Sequence, residues 1–202
     1  MIIAIDGPAG AGKSTIARRV ADALGFTYLD SGAMYRSVAL AAARRGRPPA
    51  EIAASLKIGV GDRVTVDGCD VTEAIRTPEV SEGASLVAAD PAVREALIAQ
   101  QRGIVSSGNW VVEGRDIGTV VAPDAPVKVF LTASPEERAR RRAAQTGADP
   151  ATVLAEQAHR DERDKTRAHS PLAPAPGAVV VDTTDLDLEE VVSRILALVP
   201  EA

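Results

Sequence analysis

Gly7-Pro8-Ala9-Gly10-Ala11-Gly12-Lys13-Ser14 lies between a short apolar run, Ile2 to Ile5, and a stretch in which Ile16, Ala17, Val20, Ala21 and Leu24 recur at helical spacing. The octapeptide has the pattern G-x-x-x-x-G-K-[ST]. Its glycines let the chain turn tightly, so that successive N–H groups point into one concavity and can bind phosphate oxygens. The helix expected to begin near Lys13 adds its positive N-terminal end. Lys13 would neutralise charge on the β- and γ-phosphates, and the Ser14 hydroxyl is placed to ligate Mg²⁺. A glycine-rich turn without a ligand is the alternative, but a preceding apolar strand and a following amphipathic helix are the context the phosphate reading requires.

Working outward from this phosphate-binding loop, Asp6-Gly7-Pro8 ends the first strand and Gly25 stops the first helix. Phe26 to Leu29 reads as a second strand, and Asp30-Ser31-Gly32 caps a helix running to about Arg45. From Lys57 to Val71 the period changes to two, with Val60, Val64 and Val66 among polar residues and Asp67-Gly68 as a hairpin signal. Pro91 opens a helix to about Ser107, followed by a strand at Trp110 to Val112 that ends in Glu113-Gly114-Arg115-Asp116. Val127 to Leu131 is another strand, and Ser134-Pro135-Glu136-Glu137 opens a helix with a cap, a proline at the first position and an acidic first turn. A further helix is expected from Ala151 to Arg167, then a strand at Ala178 to Val181 and a helix at Leu188 to Leu198. Apolar strands alternating with amphipathic helices predict one α/β domain, a parallel sheet covered on both faces.

The 202 residues are 46% hydrophobic, enough for one well-buried core, and the net charge of −5 provides no global attraction to nucleic acid or membrane. One cysteine, Cys69, permits no internal disulfide, and two histidines provide no zinc-ligand spacing. The polar turn at Asp6 comes too early for a signal h-region, and no run of about 18 apolar residues occurs, so a cytoplasmic protein is expected. Of the 23 basic residues only four are lysine; such a bias can reflect base composition, so arginine position must carry the argument rather than arginine number.

No [NT]-K-x-D motif of a guanine reader occurs, and Asp22-Ala23-Leu24-Gly25 falls at a helix end rather than after a strand. The size suits a small kinase. Such an enzyme must bring two polyanions into line, which needs cations beyond the loop. Three places supply them. Arg36 lies one helical turn past the end of the second strand, where α/β ligands bind, although a solvated helix arginine would look the same. Arg115 and Asp116 close the strand ending at Gly114; a structural salt bridge is the alternative for Arg115. Arg138, Arg140, Arg141 and Arg142 crowd one helix, while Arg160, Arg163, Asp164 and Arg167 share a face of the next. Arg160 and Asp164 could pair as i,i+4, but four crowded arginines predict a nearby anion, read here as a triphosphate clamped by a lid. RNA is the competing anion, and no aromatic stacking platform accompanies the arginines.

Together, Ile5 to Thr15, Asp30-Ser31-Gly32-Ala33-Met34-Tyr35-Arg36, Ile75 to Val80, Val93-Arg94-Glu95, Gly114-Arg115-Asp116-Ile117-Gly118-Thr119-Val120-Val121 and Arg160 to Arg167 resemble the bacterial cytidylate kinase family. The likeness runs in order from about residue 2 to 198. It implies a P-loop core of five parallel strands with helices on both faces. A small β-rich insert of the monophosphate-binding region at about 57–80 and an arginine-bearing helical lid at about 134–168 complete the implied fold, all within one kinase domain.

The implied reaction transfers the γ-phosphoryl group of ATP to CMP or dCMP with Mg²⁺. By the same resemblance Gly7, Pro8, Ala9, Gly10, Ala11, Gly12, Lys13, Ser14 and Thr15 bind ATP. Ser85, Arg94 and Asp116 read the cytosine ring. Ser31 lies in the monophosphate pocket, Arg36 and Arg115 hold the CMP phosphate, and Arg160 and Asp164 meet the ribose with Arg167 nearby. Lys13, Arg115, Arg141 and Arg142 act in catalysis, the last two from the lid. Ser14 ligates Mg²⁺ and Glu113 reaches it through water. The expected partners are ATP, CMP and dCMP, with no nucleic acid polymer and no membrane, and a monomer is expected. From the residues alone, a P-loop kinase for another small acceptor and a nucleotide-dependent binding or switch protein remain the competing readings.

Overall fold

The computed structural model describes residues 1–61, 63–167 and 169–200. Asp62, inside the range assigned to the insert, and Ala168, the last residue assigned to the lid, lie outside them. The chain divides into two compact units, Met1–Tyr28 with Asn109–Ala202, and Leu29–Gly108.

In the first unit β1 (Ile2–Asp6) is the central strand of a five-stranded parallel sheet. It pairs with β6 (Trp110–Gly114) on one side and β7 (Val127–Thr132) on the other, and β7 pairs with β8 (Val179–Asp182). With β2 (Thr27–Asp30) at the far edge, the order is β2-β6-β1-β7-β8. A strand covered on both faces reads as a continuous apolar run, which is why Ile3, Ala4 and Ile5 are fully buried. Helix α1 (Lys13–Leu24) lays Ile16, Ala17, Val20 and Ala21 onto this sheet. Val191, Val192 and Ile195 of α8 (Leu188–Leu196) belong to the same core. The expected stop at Gly25 is real: it caps α1 with φ 66°. An Asp187–Glu190 capping box opens α8. Helices α6 (Pro135–Thr146) and α7 (Pro150–Thr166) pack on each other, joined by only three residues.

The second unit is built on α2 (Ser31–Arg45), whose Met34 and Val38 are wholly buried. It packs on α4 (Pro78–Val87), and α3 (Pro49–Ser55) packs on α5 (Pro91–Ile104). The period-two stretch forms a small antiparallel sheet of β3 (Ile58–Gly59), β4 (Thr65–Val66) and β5 (Cys69–Asp70). Asp67-Gly68 makes the hairpin turn, with positive φ at both residues (49° and 84°) as that turn type demands. Asp67 affords the left-handed conformation because its carboxylate is held by Arg45 at 2.6 Å and by the Lys57 N–H at 3.1 Å. Among the described residues, strands therefore lie only at 58–59, 65–66 and 69–70 of the range 57–80. Past them the range holds a 3₁₀ turn at Ala74–Arg76 and the start of α4. The reason is local: Thr77 caps α4 by accepting the Val80 N–H, and Pro78 and Glu79 favour its first turn. No helix among the described residues is long and apolar enough to cross a membrane.

Candidate active site

The loop between β1 and α1 has the form its residues predict. Gly7, Gly10 and Gly12 all have positive φ (148°, 78° and 84°). At Gly7 a Cβ would stand 2.1 Å from the Leu131 carbonyl oxygen, so only glycine fits. Lys13 is buried, and its ammonium donates to the Pro8 carbonyl at 2.7 Å, folding the side chain back over the loop. Ser14 and Thr15 are exposed at the start of α1.

Parallel pairing of β1 with β6 sets Ile5 beside Glu113 and Asp6 beside Gly114, so the loops after both strands leave the same end of the sheet. From the sequence, Asp6 is merely the end of a strand. In the structure its buried carboxylate accepts the N–H groups of Ile117 and Gly118, both at 2.8 Å, at the start of a π-helical turn, Ile117–Val121. Burial, and then the neighbouring Asp116 carboxylate, push its pKa from 3.8 up to about 6, against the two amide hydrogen bonds and Lys13. The readable signal was a charged residue closing an otherwise apolar strand, which needs a partner. Glu113 is buried and accepts a hydrogen bond from the Tyr28 hydroxyl, and Arg18 lies 4.2 Å over the Tyr28 ring.

Arg115 and Asp164 come together at 3.0 Å, joining the turn after β6 to α7, and Arg167 approaches the other oxygen of Asp164 at 3.9 Å. Asp116 is buried and Arg160 half-buried in the same unit.

Three of the four α6 arginines already have carboxylate partners besides the anion that their crowding predicts. Glu137 takes Arg140 through two bonds and Arg141 through one, all at 2.7 Å, and these guanidinium groups hold its pKa down at about 2. Arg138 is buried against Asp161 at 2.7 Å. Arg141 also donates to the Thr183 hydroxyl (2.8 Å) and carbonyl (2.6 Å), so three of its five N–H groups are engaged. Arg142 is half-buried. Carboxylates a turn away or on the next helix supply the compensation, a pairing that spacing within α6 alone reveals only for Glu137.

In the second unit Asp30 caps α2 through the Ala33 N–H (2.9 Å) and pairs with Arg36 at 2.7 Å. A Cβ on Gly32 would lie 3.0 Å from Arg36 and 3.1 Å from Asp30, so glycine leaves room for the pair. Arg36 is thus an ion-paired, half-buried arginine rather than a solvated one, and its Nε is buried with no partner among the described residues. Ser31 is buried on α2 and Ser85 on α4. Arg94 of α5 is buried to 3% exposure, 5.7 Å over the Tyr35 ring, and donates a 3.4 Å bond to the Ala88 carbonyl. A buried arginine is rarely idle, since it needs charge or hydrogen-bond compensation to be there at all.

A glycine-built phosphate loop between the central parallel strand and its helix, flanked by paired arginines, defines a P-loop phosphotransferase. Solved structures agree on the fold. A gluconokinase from Sinorhizobium meliloti superposes with a TM-score of 0.51 at 21% identity over 97% of this chain and 89% of that one. A shikimate kinase from Bacteroides thetaiotaomicron gives 0.53 at 15% identity over 98% and 97%. The family model for cytidylate kinase matches residues 3–201. Curated cytidylate kinases of Solibacter usitatus and Pelotomaculum thermopropionicum are 50% and 51% identical, each over 98% of this chain and over 92% and 95% of theirs. The chain belongs to the cytidylate kinase family.

Proposed function

We propose that this chain transfers the γ-phosphoryl group of ATP to CMP or dCMP, releasing ADP and CDP or dCDP. The observation that carries the reading is the Asp6 carboxylate, which ties the phosphate loop's own strand to the turn bearing Arg115 and Asp116. One buried group thereby fixes the donor loop relative to a cation and a carboxylate suited to the acceptor.

The roles are those the family resemblance implies, and the chemistry of each group suits them. Backbone N–H groups of Gly7 and of Ala9 to Ser14, with Thr15, receive the triphosphate, Pro8 shapes the turn between them, and Lys13 neutralises the terminal charge. Arg36 and Arg115 hold the acceptor phosphate, each already oriented by its aspartate. Arg94 can donate to O2 and N3 of cytosine while Asp116 accepts from its N4 amine, with the Ser85 hydroxyl as a further partner, and Ser31 lies in the monophosphate pocket. Arg160, Asp164 and Arg167 meet the ribose. Arg141 keeps two N–H groups for the transferring phosphoryl, and Arg142 acts beside it from α6.

Ser14 at the start of α1 and Glu113 at the end of β6 offer hydroxyl and carboxylate oxygens, the hard donors Mg²⁺ prefers. Those residues would hold the ion, Glu113 through water; when bound it would screen the β- and γ-phosphate charge. No general base is required, because the acceptor oxygen belongs to an ionised phosphate. Catalysis then consists of alignment and charge neutralisation.

Coupled ADP release with Mg·ATP and CMP, dCMP, UMP, AMP or GMP at equal concentration tests the reading. Strong stimulation by CMP and dCMP with weak stimulation by UMP is expected. Stimulation by none of the five would overturn it.

A further inference from the structure

Arg138 makes more contacts than a surface lid arginine would. Its side chain is buried, as is that of its partner Asp161. Besides the 2.7 Å pair with Asp161, its NH1 donates to the Ala9 carbonyl of the phosphate loop at 3.0 Å and its Nε to the Ala133 carbonyl at 3.2 Å. Its own carbonyl accepts from the Gln157 amide at 3.4 Å. The packing against the loop is tight: a Cβ on Gly10 would stand 2.8 Å from both the Arg138 carbonyl oxygen and the Gln157 amide nitrogen. One residue therefore joins the segment after β7, the phosphate loop and α7.

The chemistry of a peptide unit says what this does. In a trans peptide the carbonyl of one residue and the N–H of the next point in opposite directions. Holding the Ala9 oxygen toward Arg138 turns the Gly10 N–H away from it. Phosphate binding needs loop amides that converge on one concavity, so their carbonyls must face outward and find donors there. Gly10 has no side chain to hold this orientation, and its φ of 78° is open to many alternatives in a glycine. The Arg138–Asp161 pair is a weak source of net stability, because a buried ion pair is often matched by an apolar replacement of similar volume. It does supply direction: Asp161 fixes the guanidinium so that the remaining donors meet two backbone carbonyls.

We infer that Arg138, oriented by Asp161, is a positioning residue for the phosphate-binding loop: it sets the Ala9–Gly10 peptide for nucleotide binding rather than touching the triphosphate itself. This rests on the loop being the ATP site. Mg·ADP is therefore the probe, titrated without acceptor, so that failure of the acceptor reading leaves the test intact.

The test compares Arg138→Lys, Arg138→Met and Asp161→Asn in the full chain, with Mg·ADP and CMP affinities measured calorimetrically beside Tm. A lysine ammonium keeps the charge for Asp161 but lacks the planar fork that reaches both carbonyls. Arg138→Lys and Arg138→Met should weaken Mg·ADP at least about tenfold and CMP by less than about twofold, as loss of one charged hydrogen bond to the loop predicts. Asp161→Asn, which keeps the bond to Ala9, should lose less Mg·ADP affinity than Arg138→Lys while losing as much Tm or more. If Arg138→Met does not fold, the lysine and asparagine variants carry the same comparison. An Arg138→Lys protein within about twofold of wild type for Mg·ADP, or an affinity loss that simply follows Tm across the variants, would overturn the inference. A wild-type protein that failed to bind Mg·ADP would overturn the ATP-site reading along with it.

Discussion

Arg115 and Asp164 form a 3.0 Å ion pair that fastens the turn after β6 to α7, and both side chains are largely buried. Asp164 also faces Arg167 at 3.9 Å, so its carboxylate carries two positive neighbours. Removing it leaves two buried cations, whereas removing Arg115 leaves a carboxylate with one partner. In a double-mutant cycle of Arg115→Lys and Asp164→Asn, the two changes should be non-additive by about 1–3 kcal/mol in kcat/KM for CMP. Strict additivity would mean that the pair does not act as a unit.

Lys13 is the loop's own cation, buried and anchored to the Pro8 carbonyl. Lys13→Ala should lower kcat by at least about a hundredfold, as loss of a preorganised donor to developing charge does elsewhere. Steady-state rates at saturating substrates check it. A variant retaining even a tenth of wild-type kcat would contradict the role.

Arg94 is buried on α5 with the Tyr35 ring beneath it. Arg94→Ala should raise KM for CMP about tenfold or more and leave KM for ATP within about twofold, the size expected for a lost hydrogen bond to a charged group. An equal rise in both constants would remove Arg94 from base recognition.

Asp6 makes stability depend on pH in a predictable direction. Its pKa is raised from 3.8 to about 6 in the folded protein, so the folded state binds the proton more tightly than the unfolded chain. This contribution is favourable at low pH and is lost as pH rises from about 4 through 6, on the order of 3 kcal/mol in all. Asparagine does not titrate. In ligand-free protein, Tm of the wild type should therefore fall relative to Asp6→Asn between about pH 4 and pH 7. Parallel Tm curves would show that Asp6 does not titrate in that window.

The sheet and the loop were legible because each was written locally. Apolar runs such as Ile2 to Ile5 mark buried strands, and Gly25 and Asp67-Gly68 end or turn their elements through backbone conformations that few residues adopt. Helices α3 and α4 are not among the elements expected from the sequence. The first has only seven residues, too few for a periodic signal. The second was readable from Thr77-Pro78-Glu79, the same cap, proline and acidic turn that marks α6 at Ser134-Pro135-Glu136. Partner choice was the harder problem. Arg138 finds Asp161 and Arg115 finds Asp164 across 23 and 49 positions of sequence, and only folding brings these charges together. Hence the α6 arginines read as a cluster awaiting an anion, although Glu137 and Asp161 already compensate three of them.

The most direct test of the account follows phosphorus by NMR in a single reaction of Mg·ATP, CMP and the purified protein. The account predicts that signals of CDP grow as those of ATP decline, with ADP formed in equal amount and no matching release of inorganic phosphate. Loss of ATP to ADP and inorganic phosphate with CMP unchanged would contradict it, leaving a nucleotide-hydrolysing protein whose acceptor is water.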